Sequence, residues 1–252
     1  MKLIFPSNIF TEILSSNFSL ELKKELLYRA SSLITPEIKN HKKSIGLIPT
    51  MDLLRNKDFY VSKKHGISFE GSLCNSYIYF KPGEIDIIEL SLFGDVSSLE
   101  VILSKILFKE IYNSEVKLEI ITNEQKMQNK NLIITGNKNF EEERFLSGIS
   151  FSEEVIESLS LPFVNYVFAS TDKEVLEDFN EKLTGISNLV YSNIEEYNFG
   201  NNMNRRTVDY IKSNISSLIL DFEPNDIEGI NQLLRLPYYH GIIDDIIEVK
   251  FV

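Results

Sequence analysis

Cysteine, histidine and tryptophan are almost missing: one Cys (Cys74), three His and no Trp in 252 residues. A single thiol forms no internal disulfide, and no Cys/His cluster suggests zinc. His41, His65 and His240 lie far apart, and none belongs to a metal-spaced pair. Positive charge is also short. Against 26 Lys and Arg stand 37 Asp and Glu, a formal net charge of −11. Such a chain repels phosphate backbones and anionic bilayers, so neither nucleic acid nor a membrane is an expected partner. No apolar run is long enough to span a bilayer. The opening MKLIFPSNIFTEIL has one Lys and a short apolar run broken by Pro6 and Asn8. It is a poor export signal, and the expected location is the reducing cytoplasm. Internal repeats and low-complexity tracts are missing too.

What is present is a core. Hydrophobic residues make up 43% of the chain, with 17 Phe and 11 Tyr, which argues for one large or two small folded domains and against disorder. The runs KLIF, SIGLIP, SLCNSYIYF, IIELSLF, KLEIIT, NLIITG and PFVNYVFAS read as strands. The spacing of Leu22, Leu26, Leu27, Ala30, Leu33 and Ile34 predicts a helix over Leu20–Ile34, ended by Pro36. Leu99, Ile102, Leu103, Ile106 and Ile111 predict another over Ser97–Tyr112. Further helices are expected at Thr171–Leu183, Val208–Leu218 and Asn225–Leu234. Capping boxes are read at Ser97/Glu100, Thr171/Glu174 and Asn225/Glu228. The C-terminal third shows no convincing strand before IEVKFV. Alternating strands and helices imply an α/β fold with a mainly parallel sheet.

LPFVNYVFAS (Leu161–Ser170) is uncharged in a chain of which a quarter is charged. A strand so continuously apolar is buried on both faces, and Pro162 suits its start. Asn165 within it has two compatible readings. It is hydrogen-bonded inside a central strand, or it faces a cleft where the strand passes between two lobes.

At this run the chain resembles the chorismate dehydratases of the futalosine route to menaquinone, whose strand is of the form Gly-Leu-Pro-Phe-Val-Phe-Ala-Val-Trp. Four further segments agree in order: IGLIPTMDLL (Ile45–Leu54), HGISFEGSL (His65–Leu73), GDVSSLEVILSKILF (Gly94–Phe108) and Tyr210–Leu234. The resemblance implies a two-lobed, periplasmic-binding-protein-like α/β fold with a central cleft. It implies a lyase that removes water from chorismate to give 3-[(1-carboxyvinyl)oxy]benzoate, with no cofactor or metal and a small carboxylate ligand. The naphthoate-forming synthase of the same pathway is a third, enzymatic relative of similar fold. A non-catalytic ligand-binding protein of the same fold is the alternative. The departures are Thr11 where the family has Pro, Leu99 and Glu100 where it has Thr and Ser, Asn137 where it tends to Asp, and Asn165 in place of an aromatic.

The expected site follows residue by residue. Asn8 orients substrate but has no basic group, so a substrate carboxylate is left to take the proton. Ser7, Thr50, Ser68, Ser97, Ser98, Asn137 and Asn165 are the expected substrate contacts, through hydroxyls, amides and helix starts. Each has a plainer structural role beside it: Ser7, Asn8, Thr50 and Ser97 as helix caps, Ser68 as a residue of a Gly-flanked turn. His65 is an equally plain loop residue. Glu100, completing a capping box, puts negative charge where a carboxylate would sit and argues against one there. The strands SLCNSYIYF and PFVNYVFAS bracket a compact segment. One lobe is therefore expected from about residues 1–76 and 173–252, the other from about 77–172, with both strands crossing between them.

Overall fold

The computed structural model describes residues 1–41, 43–84 and 86–252. In chain order the strands are β1 (Lys2–Pro6), β2 (Leu26–Arg29), β3 (Ser44–Pro49), β4 (Tyr60–Phe69), β5 (Ser76–Tyr79), β6 (Glu89–Gly94), β7 (Lys117–Ile121), β8 (Leu132–Thr135), β9 (Ile149–Ser150), β10 (Phe163–Ser170), β11 (Leu218–Asp221) and β12 (Lys250–Phe251). The helices are α1 (Ile9–Ser16), α2 (Leu20–Lys24), α3 (Ser31–Asn40), α4 (Ser98–Tyr112), α5 (Lys138–Glu141), α6 (Phe151–Leu159), α7 (Lys173–Lys182), α8 (Ile186–Asn193), α9 (Arg205–Asn214) and α10 (Pro224–Tyr239). Two sheets organise them. The larger has the order β11-β4-β10-β3-β1-β2 with β12 also on β4; the smaller has the order β7-β6-β8-β5-β9.

The sheets are mixed rather than mainly parallel. β1 pairs in parallel with β2 and β3, but β10 runs antiparallel to both β3 and β4, and β5 antiparallel to β8 and β9. All eight residues of β10 are buried, as expected of a strand between two neighbours with α7 and α10 packed on it. It pairs with β3 as far as Ala169 and with β4 as far as Ser170, so it belongs wholly to the larger sheet and does not cross out of it. Asn165 is the extra residue of a β-bulge: Val164 stands opposite Ser68 and Tyr166 opposite Ile67, leaving Asn165 unpaired.

The expected helix over Leu20–Ile34 is three elements. Leu26–Arg29 adds to the open edge of β1, and this pairing overrides the helical spacing. Pro36 lies inside α3 instead of ending it. The helix continues through the lost hydrogen bond because Ile34 and Ile38 are fully buried against β3. Gly46 makes that close approach possible; an added Cβ would lie 2.9 Å from Ile34 Cγ2. The His65–Leu73 segment is not a loop: β4 runs through it to Phe69. Leu218 begins β11 rather than closing a helix. SLCNSYIYF is strand only over Ser76–Tyr79. Two caps also differ. Asp172, not Thr171, accepts from Val175 N at the start of α7. Pro224 opens α10, with Asp226 Oδ2 accepting from Glu223 N in place of an Asn225/Glu228 pair. The Ser97/Glu100 box is present as expected.

Candidate functional site

Between the two sheets runs a belt of polar side chains that join one to the other. Asp95, just after β6, accepts from both Ser31 N (2.8 Å) and Ser31 Oγ (2.6 Å) at the start of α3. Ser31 Oγ also meets Tyr166 Oη at 3.0 Å, and Asn75 Nδ2 donates to Tyr166 Oη at 3.4 Å. Asp52, in the 3-10 turn after β3, accepts from Ser98 Oγ (2.5 Å) and from Thr35. Asn137 Oδ1 accepts from Ile9 N at 2.8 Å. Each contact follows from local structure: the free N–H groups of helix starts, and short polar side chains at strand ends.

The electrostatics of the belt are one-sided. Burial pushes the Asp52 carboxyl up, against the opposing pull of the Ser98 and Thr35 hydroxyls, Arg55 and Lys39. Burial likewise pushes up Glu100, whose bonds from Ser97 and Ser76 oppose it without cancelling it. Tyr166 is raised by burial and then by the Glu100 and Asp95 charges. Among the described residues, no group of three or more His, Cys, Asp or Glu has a metal-binding arrangement.

The expected site residues divide. Asn8 is fully buried and caps α1: its Oδ1 accepts from Thr11 N at 3.1 Å, and Thr11 Oγ1 accepts from Asn8 N at 3.3 Å. Thr11 is thus the partner that completes the cap. Asn8 Nδ2 has no hydrogen-bond partner among the described residues. Ser7 is exposed. Thr50 Oγ1 donates to Val164 O at 2.7 Å, a bond that ties the 3-10 turn to β10. Ser68 lies in β4 beside Asp226 at the start of α10, and its Oγ lacks an aligned partner. Ser97 caps α4, with Oγ accepting from Leu99 N at 3.2 Å. Ser98 and Asn137 make the inter-sheet contacts described above. Asn165 is 2% exposed and its Oδ1 is unpartnered. Asn75 Oδ1 is unpartnered as well. Neither the internal-strand reading of Asn165, as a hydrogen-bonded amide, nor the turn reading of Ser68 matches these positions. Sequence reasoning missed Ser31, Asp52, Asn75, Asp95 and Tyr166; all but Ser31 stand in segments singled out above, but their neighbours there are read as the contacts.

The Asn8/Thr11 pair yields a direct check. Thr11→Ala removes the hydroxyl that accepts from Asn8 N and donates to Pro6 O (2.6 Å). A loss of about 1–2 kcal/mol is expected in urea unfolding. A loss below a few tenths would show that the cap does not fix the start of α1.

With the architecture in view, the solved structures that share it can be compared. The protein AF1704 from Archaeoglobus fulgidus superposes with a TM-score of 0.66 at 10% identity, over 96% of this chain and 98% of that one. The periplasmic aliphatic sulphonate binding protein SsuA from Escherichia coli gives 0.59 at 7% identity, over 99% and 90%. The alkanesulfonate-binding protein SsuA from Xanthomonas axonopodis pv. citri, bound to MOPS, gives 0.60 at 8% identity, over 100% and 97%. The fold is therefore the two-lobed α/β fold seen in periplasmic substrate-binding proteins. No protein-family model matches the sequence, and no match is found among curated proteins. No helix among the described residues is long and apolar enough to cross a membrane.

Proposed function

We propose that this chain is a small-molecule-binding protein whose ligand sits between the lobes and carries no net negative charge. One observation carries the reading. The helix starts that would seat a substrate carboxylate already hold the protein's own: Asp95 on α3 and Glu100 on α4. A dicarboxylate entering there meets like charge in a desolvated site, which is costly. Asn8 Nδ2, Asn75 Oδ1 and Asn165 Oδ1, buried and unpartnered, suit a neutral polar ligand instead, because buried amides ordinarily find partners. Ser97 and Thr50 act as a cap and a tie, while Ser98 and Asn137 help close the lobes. Ser7 and Ser68 stay outside the proposed contacts. The lobe limits are proposed as given above, except that Phe163–Ser170 goes with the first lobe because it pairs with β3 and β4.

The competing reading is the chorismate dehydratase-like lyase, supported by the order of the resembling segments. Its base would have to come from the substrate, since Asn8 offers an amide alone. One experiment decides between the readings. Purified protein is mixed with chorismate, and both heat and new aromatic absorbance are followed. Neither signal is expected. Saturable heat with growing absorbance would establish the lyase and overturn the proposal.

A further inference from the structure

An open pocket of about 650 Å³ lies at the β11/β12 edge of the larger sheet, lined by none of the inter-sheet belt residues. It exists because β4 bulges. Val167 stands opposite Gly66 and Ala169 opposite Val61, so Ser62–His65 swell outward against the single residue Phe168. Ser62 Oγ fixes the swelling, accepting from Lys64 N (3.1 Å) and His65 N (3.0 Å) while donating to Asn180 Oδ1 (2.7 Å). Phe222 forms a wall by lying across Gly66, where an added Cβ would be 2.2 Å from its ring. Ile227, Pro224 and Phe251 complete an apolar interior.

The charges around this cavity are not equivalent. His65 is buried, with Nε2 3.0 Å from Asn180 O and Nδ1 3.0 Å from Asp221 Oδ1, the latter a charge contact short of hydrogen-bond alignment. Asp221 also accepts from Ser187 N at 2.9 Å. Burial pushes its carboxyl up, yet His65 and Ser187 outweigh burial and leave it below the ordinary range. Both ring nitrogens of His65 thus face protein oxygens, and the pair braces the floor. Lys64 is paired with Glu181 at 2.9 Å. Lys63 and Glu223 remain. Both are exposed lining residues, and neither forms an ion pair with any described residue or with the other.

We propose that this pocket binds an apolar α-amino acid: Lys63 holds the carboxylate, Glu223 the ammonium, and the side chain packs on Phe222, Ile227 and Phe251. The volume is within the range of small-ligand pockets, about 300–1,000 Å³, and the apolar body with a few polar groups is their usual composition. A ligand of one charge would satisfy one rim residue and be repelled by the other. A zwitterion satisfies both. The site is independent of the lobe interface and of what binds there.

The absence of Trp from the chain makes L-tryptophan its own probe, since all indole emission comes from the ligand. Saturable binding is expected. Lys63→Gln should weaken L-tryptophan and N-acetyl-tryptophan by about threefold or more and leave tryptophan methyl ester unmoved, because an exposed charge pair contributes modestly. Glu223→Gln should weaken L-tryptophan and the methyl ester and leave the N-acetyl form unmoved. Thr184→Phe, which narrows the mouth from an exposed position, should weaken all three. Circular-dichroism melts establish that each variant is folded, and Lys63→Gln, a change at an exposed side chain, suffices if another is not. No saturable binding at millimolar L-tryptophan overturns the proposal. So does binding that Lys63→Gln leaves unchanged.

Discussion

Gly94→Ala is expected to destabilise the protein by about 3–5 kcal/mol, a large share of the 5–15 kcal/mol that holds a typical domain together. Gly94 ends β6 with φ +95°, a backbone that side chains with a Cβ rarely adopt. An added Cβ would lie 2.0 Å from Thr135 O, a backbone atom that cannot swing aside. The same carbonyl accepts from Asp95 N at 3.1 Å, so relief of the clash also displaces Asp95 from the start of α3. Gly83→Ala is the control. Its φ of +79° is comparable, yet no atom of the described residues lies within 4 Å of the added atom. About 1 kcal/mol is expected there, from backbone strain alone. Urea unfolding of both variants measures the difference. Equal losses would mean that the Thr135 contact yields easily and that Gly94 does not position Asp95.

The parts of the fold legible in the sequence were those where local chemistry and tertiary structure agree. PFVNYVFAS is buried on both faces because it lies between two strands under helices, and its lack of charge records that environment. The Ser97/Glu100 box is local by nature, and it formed. Failures occur where a distant partner decides. Leu26–Arg29 have helical spacing, but β1 offers an unfilled edge and takes them as a strand. YVSKKHGISF hides β4, because the Lys63–Lys64 swelling and Gly66 interrupt the alternation that marks a strand. SLILD reads as a continuing helix until β4 pairs with it. The site divides likewise. Asn8, Ser97 and Ser98 lie at helix starts and are visible as such, whereas Asn137 was reached only through the resemblance. Asp95, Ser31 and Tyr166 come together only when two sheets meet, and no spacing along the chain announces that. Asn165 posed a question that only pairing answers: it is the residue a bulge leaves over.

The same principle, that a buried carboxylate is tolerable only with its donors, sets the expected behaviour of Glu100. The side chain is 1% exposed. Its Oε2 accepts from Ser97 N (2.9 Å) and Ser97 Oγ (2.6 Å), and its Oε1 from Ser76 Oγ (3.1 Å). Burial raises its pKa in spite of these bonds. Glu100→Ala leaves Ser97 N–H without an acceptor in a buried place and opens a cavity, so a loss of about 3 kcal/mol is expected. Glu100→Gln keeps the bonds. Its amide oxygen can accept both donors of Ser97, and its NH₂ can donate to Ser76 Oγ, which in turn meets Thr135 Oγ1 at 3.0 Å. The Gln variant should therefore equal or exceed wild type near neutral pH by up to about 1–2 kcal/mol, having shed the desolvation of a charge. The pH dependence fixes the sign. A raised folded-state pKa stabilises wild type fully below the ordinary Glu range, near pH 4.3, and that contribution is lost as pH rises through the folded value. The advantage of Gln over Glu should accordingly be smallest in acid and grow toward neutrality. Urea unfolding at several pH values between 4 and 8 measures it. An advantage that shrinks with rising pH would mean that the donors of Ser97 and Ser76 favour the ionised form more than burial penalises it. The negative charge at α4 would then be a stabilising feature of the fold rather than a tolerated one.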